Sequence, residues 1–254
     1  MAGNAPISGY ADSQEQGLWH IRLDRPERRN AMSGLLVDAA ITLLERAAFD
    51  DAIGVLVIHG AGTGFCAGSD LGELAGMDAA GRSAFEAASG RLARLVPQFP
   101  KPVIAAVHGY AIGGGLTLAA ACDIVVTDPA ARWSLPEVPI GLFPAWGLEA
   151  VVARIGRVRA RRLSWGIDTL DGTQAAAIGL ADEAADDPLA RARDIARSLL
   201  ALPRAQAQSV KHYFAAPHAP EVGDHAANAL FMAATATPAA QASFERFGHK
   251  VRAD

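Results

Sequence analysis

Short uninterrupted apolar runs alternate with amphipathic stretches along most of this chain. Val55-Leu56-Val57-Ile58, Val103-Ile104-Ala105-Ala106-Val107 and Ile124-Val125-Val126-Thr127 are rich in β-branched residues and carry no charge, the pattern of strands buried on both faces. Leu18 to Leu23 instead alternates, with Trp19, Ile21 and Leu23 on one face, which predicts a half-buried strand ended by Arg25-Pro26. Ser33 reads as the N-cap of a helix reaching about Ala48, with Leu36, Ala40, Leu43, Leu44 and Ala47 as its apolar stripe. A second helix is predicted over Arg82 to Leu95, stopped by the segment from Pro97 to Pro102, and Trp133-Ser134-Leu135 reads as a short strand. Beyond Pro144 the pattern is almost wholly helical, with Pro188 suited to the first turn of a helix ending near Leu202. The alternation predicts an α/β fold with a core over residues 1–196 and a helical region over 197–254.

Composition narrows this picture. With 254 residues, 51% of them hydrophobic and 20% charged, the chain can bury one large core. A net charge of −4 gives no electrostatic case for nucleic acid as a partner. Arg154, Arg157, Arg159, Arg161 and Arg162 cluster locally and read as a solvated helix face rather than a phosphate site. Two cysteines, Cys66 and Cys122, make no disulfide framework and fit a reducing compartment. Met1 to Gln16 has neither a basic cluster nor an apolar stretch, and no run approaches the ~18 apolar residues of a membrane span. The expectation is a soluble cytoplasmic protein with no membrane partner.

Two glycine-bearing loops follow two of the buried runs. The first is Phe65-Cys66-Ala67-Gly68-Ser69-Asp70-Leu71, where Gly68 lets the backbone turn and Ser69 can aim its N–H into a pocket. The second contains Gly113, Gly114 and Gly115 at the start of an alanine-rich helix, where bare backbone N–H groups can reach a ligand atom. Donors from two loops converging on one point make an oxyanion hole, each typically worth ~3 kcal/mol in the transition state. Downstream, Glu137 sits in Leu135-Pro136-Glu137-Val138-Pro139, where apolar neighbours would raise its pKa and suit it to proton transfer.

The segments F-C-A-G-S-D-L, H-G-Y-A-I-G-G-G-L-T-L-A-A-A-C-D and P-E-V-P-I-G-L-F-P resemble those of the crotonase, or enoyl-CoA hydratase/isomerase, superfamily. The resemblance extends upstream to Leu23-Asp24-Arg25-Pro26 and Arg29-Asn30-Ala31-Met32, and downstream to Gln174 through Asp182. It implies a crotonase-like spiral of β-β-α units with a C-terminal helical trimerisation region, giving a homotrimer or a hexamer built as a dimer of trimers. It implies an acyl-CoA thioester as substrate, with no metal and no cofactor beyond the coenzyme A of that substrate. By motif match the oxyanion donors are the N–H groups of Ser69 and Gly114, and Glu137 takes the place of one of two hydratase glutamates. Ala67, Gly68, Asp70 and Leu71 would line the adenine end, with Gly113 and Thr117 also at the substrate. Arg25 and Arg28, with Arg29 beside them, would meet the phosphates, although Glu27 stands where many members carry a basic residue.

Thr117 departs from the pattern: hydratases place their other glutamate there. A threonine hydroxyl binds water but is too weak an acid or base near neutral pH, so Glu137 is left as single acid/base. That slightly favours double-bond isomerisation over single-glutamate hydration. A non-catalytic crotonase-fold binder of acyl-CoA or RNA is the alternative from another class. Ser69 lacks a G-x-S-x-G context, no H-E-x-x-H zinc spacing occurs, and Gly109 to Gly115 does not follow G-x-G-x-x-G. Cys66 reads as a small buried thiol, Glu149 as part of an exposed helix turn, and Trp146 as either an acyl contact or core. Phe231 and Phe244 are candidates for the trimer interface by the same resemblance.

Overall fold

The uninterrupted apolar runs become the central strands of one sheet. The computed structural model describes residues 5–215 together with Pro238. Its strands are β1 (Ile7–Ala11), β2 (Leu18–Leu23), β3 (Val55–Gly60), β4 (Val103–Val107), β5 (Tyr110–Ile112), β6 (Ile124–Thr127), β7 (Arg132–Ser134), β8 (Thr169–Leu170) and β9 (Glu183–Ala184). The helices are α1 (Gly34–Ala48), α2 (Leu71–Gly76), α3 (Ala79–Gln98), α4 (Gly114–Ala120), α5 (Leu148–Ser164), α6 (Gly172–Ala177), α7 (Pro188–Leu200) and α8 (Arg204–Ala215). The main sheet has the order β1-β2-β3-β4-β6-β9, and a small second sheet the order β5-β7-β8. Only β1 runs antiparallel in the main sheet. Parallel neighbours need a crossover, and α1, α3 and α4 supply those between β2 and β3, β3 and β4, and β4 and β6.

Both faces of the main sheet are covered, which is why its middle strands read as continuous apolar runs. Val55 and Val57 of β3, with Ile104 and Ala106 of β4, pack on one face against Ala192 and Ala196 of α7. Leu56 and Ile58, with Val103, Ala105 and Val107, belong to the larger core that includes Leu36, Val37 and Leu44 of α1 and Leu92 and Val96 of α3. Ser33 caps α1 by accepting a hydrogen bond from the Leu36 N–H at 3.2 Å. The helix expected to begin at Arg82 starts earlier because Asp78 caps α3, accepting from the Gly81 N–H at 2.7 Å.

The N-terminal edge departs from the sequence pattern. Ile7–Ala11 pairs antiparallel with β2, and Gly9 lies under Trp19: a Cβ on Gly9 would fall 2.2 Å from the indole ring. On the opposite face of β2, Tyr10 pairs with His20, which is fully buried there. Tyr10 stacks on His20 with ring centroids 5.0 Å apart and meets His59 Nε2 through its hydroxyl at 2.9 Å. His20 Nε2 lies 2.8 Å from the Asp12 carboxylate, which Arg193 also approaches at 3.1 Å.

The helical character expected beyond Pro144 is interrupted by the two-residue strands β8 and β9. The division expected between residues 196 and 197 falls inside α7. Farther on, α8 is tied to the core by Lys211, whose Nζ donates to the Val96 carbonyl at 3.0 Å and to Asp123 Oδ2 at 2.7 Å. Phe231 and Phe244 lie outside the described residues. No helix among the described residues is long and apolar enough to cross a membrane.

Burial, followed by the neighbouring His20, holds the His59 imidazole down from the usual 6.5 to about 4. The folded value lies below the unfolded one, so the unfolded chain takes up this proton first as the pH falls. The stability contributed by neutral His59 is complete above about pH 6.5 and is lost progressively toward pH 4, by roughly 3 kcal/mol. Melting temperature against pH checks this: His59→Asn should flatten the decline over that window, and an unchanged slope would contradict it.

Candidate active site

The site begins with a left-handed turn. Arg29 and Asn30 have φ values of 54° and 55°, a conformation asparagine tolerates better than most residues. The buried Asn30 amide then holds three strands of backbone together. Its Oδ1 accepts from the Arg25 N–H at 3.0 Å, and its Nδ2 donates to the carbonyls of Ala61 and Gly64, both at 2.8 Å. From this turn the chain runs beside the first glycine loop as a short parallel pair. Ala67 N–H donates to Arg29 O at 3.1 Å, Met32 N–H to Gly68 O at 2.8 Å, and Asp70 N–H to Met32 O at 2.9 Å.

That register decides where Ser69 points. The groups bonded to Met32 come from the residues flanking Ser69, so the Ser69 N–H itself lies on the opposite edge. On that side Cys66 pairs with Ala111 of β5, through Cys66 N–H to Tyr110 O at 3.2 Å and Ile112 N–H to Cys66 O at 3.0 Å. Gly68 has φ 88°, and a Cβ there would lie 2.8 Å from Ile112 O and 3.2 Å from the Gly114 nitrogen. The first glycine loop and the start of α4 thus meet backbone to backbone. Neither the Ser69 nor the Gly114 N–H finds a backbone partner among the described residues.

Each of the three glycines is required by a different neighbour. Gly113, with φ 55° and ψ −125°, donates its N–H to Ser134 O at 2.9 Å, and a Cβ on it would lie 2.6 Å from Glu137 Oε1. A Cβ on Gly114 would meet Trp146 at 2.4 Å and Met32 Cε at 2.5 Å, and one on Gly115 would meet Cys66 O at 2.3 Å. Close packing therefore accompanies the access expected from the sequence. Cys66 is inert in this setting. Its thiol donates to Asn30 O at 3.1 Å and accepts from the Gly68 N–H at 3.4 Å, and burial pushes its pKa up to about 12.

Glu137 is brought in by β7. Pairing of Ile112 with Ser134, extended by the Gly113 bond to Ser134 O, carries the chain past the start of α4. Glu137 then precedes a short 3-10 turn, and its carbonyl accepts from Ile140 N–H at 3.2 Å and Leu142 N–H at 2.8 Å. Its Oε2 is buried and has no hydrogen-bond partner among the described residues. Burial raises its pKa above the ordinary carboxylate value; its own backbone opposes this, and the charge of Glu86 adds a smaller upward push. Thr117 is buried beside it, and its hydroxyl donates back to Gly114 O at 3.1 Å, a bond within its own helix.

Ser69, Gly114, Thr117 and Glu137 line one cavity of about 90 Å³, together with Ala67, Gly68, Leu71 and Gly113 from the expected set. Trp146 forms a wall, and Leu142 and Phe143, 48% and 71% exposed, stand at the rim. Asp70 and the arginines sit outside this cavity. Asp70 caps α2 through the Glu73 N–H at 3.3 Å and pairs with Arg25 at 3.0 Å; Arg25 also donates to Ala31 O at 2.6 Å. Arg25 thus braces the turn that carries Asn30, while Arg28 and Arg29 are exposed near it. Glu86, from α3, lines the cavity and was not expected from the sequence.

A family model described as enoyl-CoA hydratase/isomerase matches residues 13–253. The chain is 36% identical over 172 residues to a 2,3-dehydroadipyl-CoA hydratase of Escherichia coli (strain K12), covering 67% of each. It is 33% identical over 160 residues to a probable enoyl-CoA hydratase of Bacillus subtilis (strain 168), covering 62% of each. These matches span roughly two thirds of the relatives' own length. Among solved structures, an enoyl-CoA hydratase from Bacillus anthracis superposes with a TM-score of 0.90 at 25% identity, covering 96% of both chains. The α/β architecture is thus the crotonase fold.

Removing the Asn30 side chain should strand two carbonyls and one N–H at the base of the first glycine loop. Asn30→Ala is expected to lower unfolding free energy by about 3 kcal/mol in urea titration. A loss below about 1 kcal/mol would show that the turn holds without its amide.

Proposed function

This chain belongs to the enoyl-CoA hydratase/isomerase family, and we propose that it turns acyl-CoA thioesters over through an enolate held by the Ser69 and Gly114 N–H groups, with Glu137 carrying the proton. The observation that carries the reading is the convergence of two unbonded N–H groups and one unbonded, buried carboxylate oxygen on a single cavity. Two N–H donors polarise a thioester carbonyl and become stronger partners as negative charge develops on its oxygen. A carboxylate with a raised pKa can then take a proton beside that carbonyl and return it elsewhere.

Glu137 alone completes a double-bond shift. It removes a proton from C2 of a 3-enoyl thioester, the electrons move through the enolate, and the proton returns at C4 to leave a 2-enoyl product. The internal bond of Thr117 is consistent with this preference for isomerisation, because its hydroxyl is already engaged. Hydration is the second reading, favoured by the names of the two relatives above, both hydratases. The adenine end at Ala67 to Leu71 and the phosphates at Arg28 and Arg29 complete the proposed substrate path, with Arg25 bracing it. A cytoplasmic location and assembly as a trimer or a pair of trimers belong to the same proposal, carried by the family resemblance.

A panel of 2-enoyl- and 3-enoyl-CoA esters, followed chromatographically, tests the reading. Glu137→Gln should lower turnover about a thousandfold while leaving the Kd for an acyl-CoA within a few-fold. Undiminished turnover in that variant would remove Glu137 from the chemistry, and binding without turnover by the native chain across the panel would favour a non-catalytic acyl-CoA binder.

A further inference from the structure

Thr117 removes one carboxylate from the reaction centre, and a different helix brings one back. Glu86 lies on α3 one turn before Gly90, on the same helix face. Gly90 is buried, and a Cβ on it would lie 3.8 Å from Trp146, a wall of the cavity. That packing turns the Glu86 position toward Trp146, where Glu86 lines both the cavity it shares with Glu137 and a larger adjoining one. Glu86 makes no hydrogen bond or ion pair among the described residues, and burial raises its pKa. Of the residues lining the cavity shared with Glu137, Glu86 and Glu137 are the ionisable ones; Arg94 lies in the larger adjoining cavity that Glu86 also lines.

We propose that Glu86 is a second catalytic carboxylate, which with Glu137 holds a water and adds it across the C2–C3 double bond of a 2-enoyl thioester. The proposal rests on the reading of Glu137 and the two N–H donors given above, and it replaces the preference for isomerisation with hydration. Two carboxylates lining one small cavity disfavour ionising together. In the hydration step Glu137, with its unbonded Oε2, is assigned the proton and Glu86 the ionised form, whereas with a saturated ester ionised Glu137 is the base.

Glu86 takes a proton from water as the water oxygen bonds to C3. The C2–C3 π electrons move into the thioester, forming the enolate whose oxygen sits between the Ser69 and Gly114 N–H groups. Glu137 gives its proton to C2 as the carbonyl re-forms. The substrate has gained one water, the pair has exchanged which member is protonated, and solvent resets it.

The test compares two reactions of one site. Hydration of a 2-enoyl-CoA needs both carboxylates, whereas exchange of the C2 protons of a saturated acyl-CoA in D2O needs only the oxyanion donors and Glu137. In Glu86→Gln the ratio of hydration to C2 exchange should fall about 100-fold; in Glu137→Gln both reactions should be lost. A ratio within threefold of the native value in Glu86→Gln overturns the role of Glu86, as does a native protein that exchanges C2 protons but adds no water. Both results leave Glu137 and the oxyanion donors standing. A native protein that does neither overturns the underlying reading as well.

Discussion

The close approach of two backbones at Gly68 and Gly114 is the constraint on which the site depends. A side chain on Gly68 would strike Ile112 O and crowd the Gly114 nitrogen, and one on Gly114 would strike Trp146 and Met32. Ser69 and Gly114 line one small cavity because neither loop carries bulk at the crossing. Everything around the crossing holds it closed. The Asn30 amide fixes the turn that feeds Met32, Met32 pairs with the segment bearing Ser69, and β5 fixes the opposite edge of the same segment. The main sheet sets the scale of this arrangement, because β3 and β4 deliver the two loops from neighbouring parallel positions.

The same crossing explains how the acids are disposed. Gly113 cannot carry a Cβ because Glu137 Oε1 occupies that place, so the carboxylate abuts the start of α4. Thr117, one helical turn on, is confined between its own helix and Gly147, whose Cβ position falls 2.6 Å from the threonine Cβ. A longer side chain at 117 would press into this contact. Glu86 of α3 lines the same cavity as Thr117 and Glu137.

The legible parts of this protein were those whose chemistry is contiguous in sequence. Ser33 announces α1, the β-branched runs announce β3, β4 and β6, and Gly68, Ser69, Gly114 and Glu137 lie in motifs that retain their order and meet at one cavity. Ile7–Ala11 was not legible because its Ser8 and Gly9 weaken any strand signal. Its pairing is decided by Trp19 covering Gly9, a contact known only once the two strands meet. His20 and His59 read as polar positions, yet they are buried because Tyr10 and Asp12 supply partners from that same unforeseen edge. Glu86 gave no signal at all. On an amphipathic helix, a glutamate facing a cavity and one facing water have the same spacing, and only the packing of Gly90 on Trp146 separates them.

The central claim is that the Ser69 and Gly114 N–H groups jointly polarise a thioester carbonyl. Infrared difference spectroscopy on Glu137→Gln with an acyl-CoA labelled with carbon-13 at the thioester carbonyl tests it without turnover. The account predicts a carbonyl stretch shifted to lower frequency on binding, relative to the free ester. A bound ester whose carbonyl absorbs where the free ester does would contradict it.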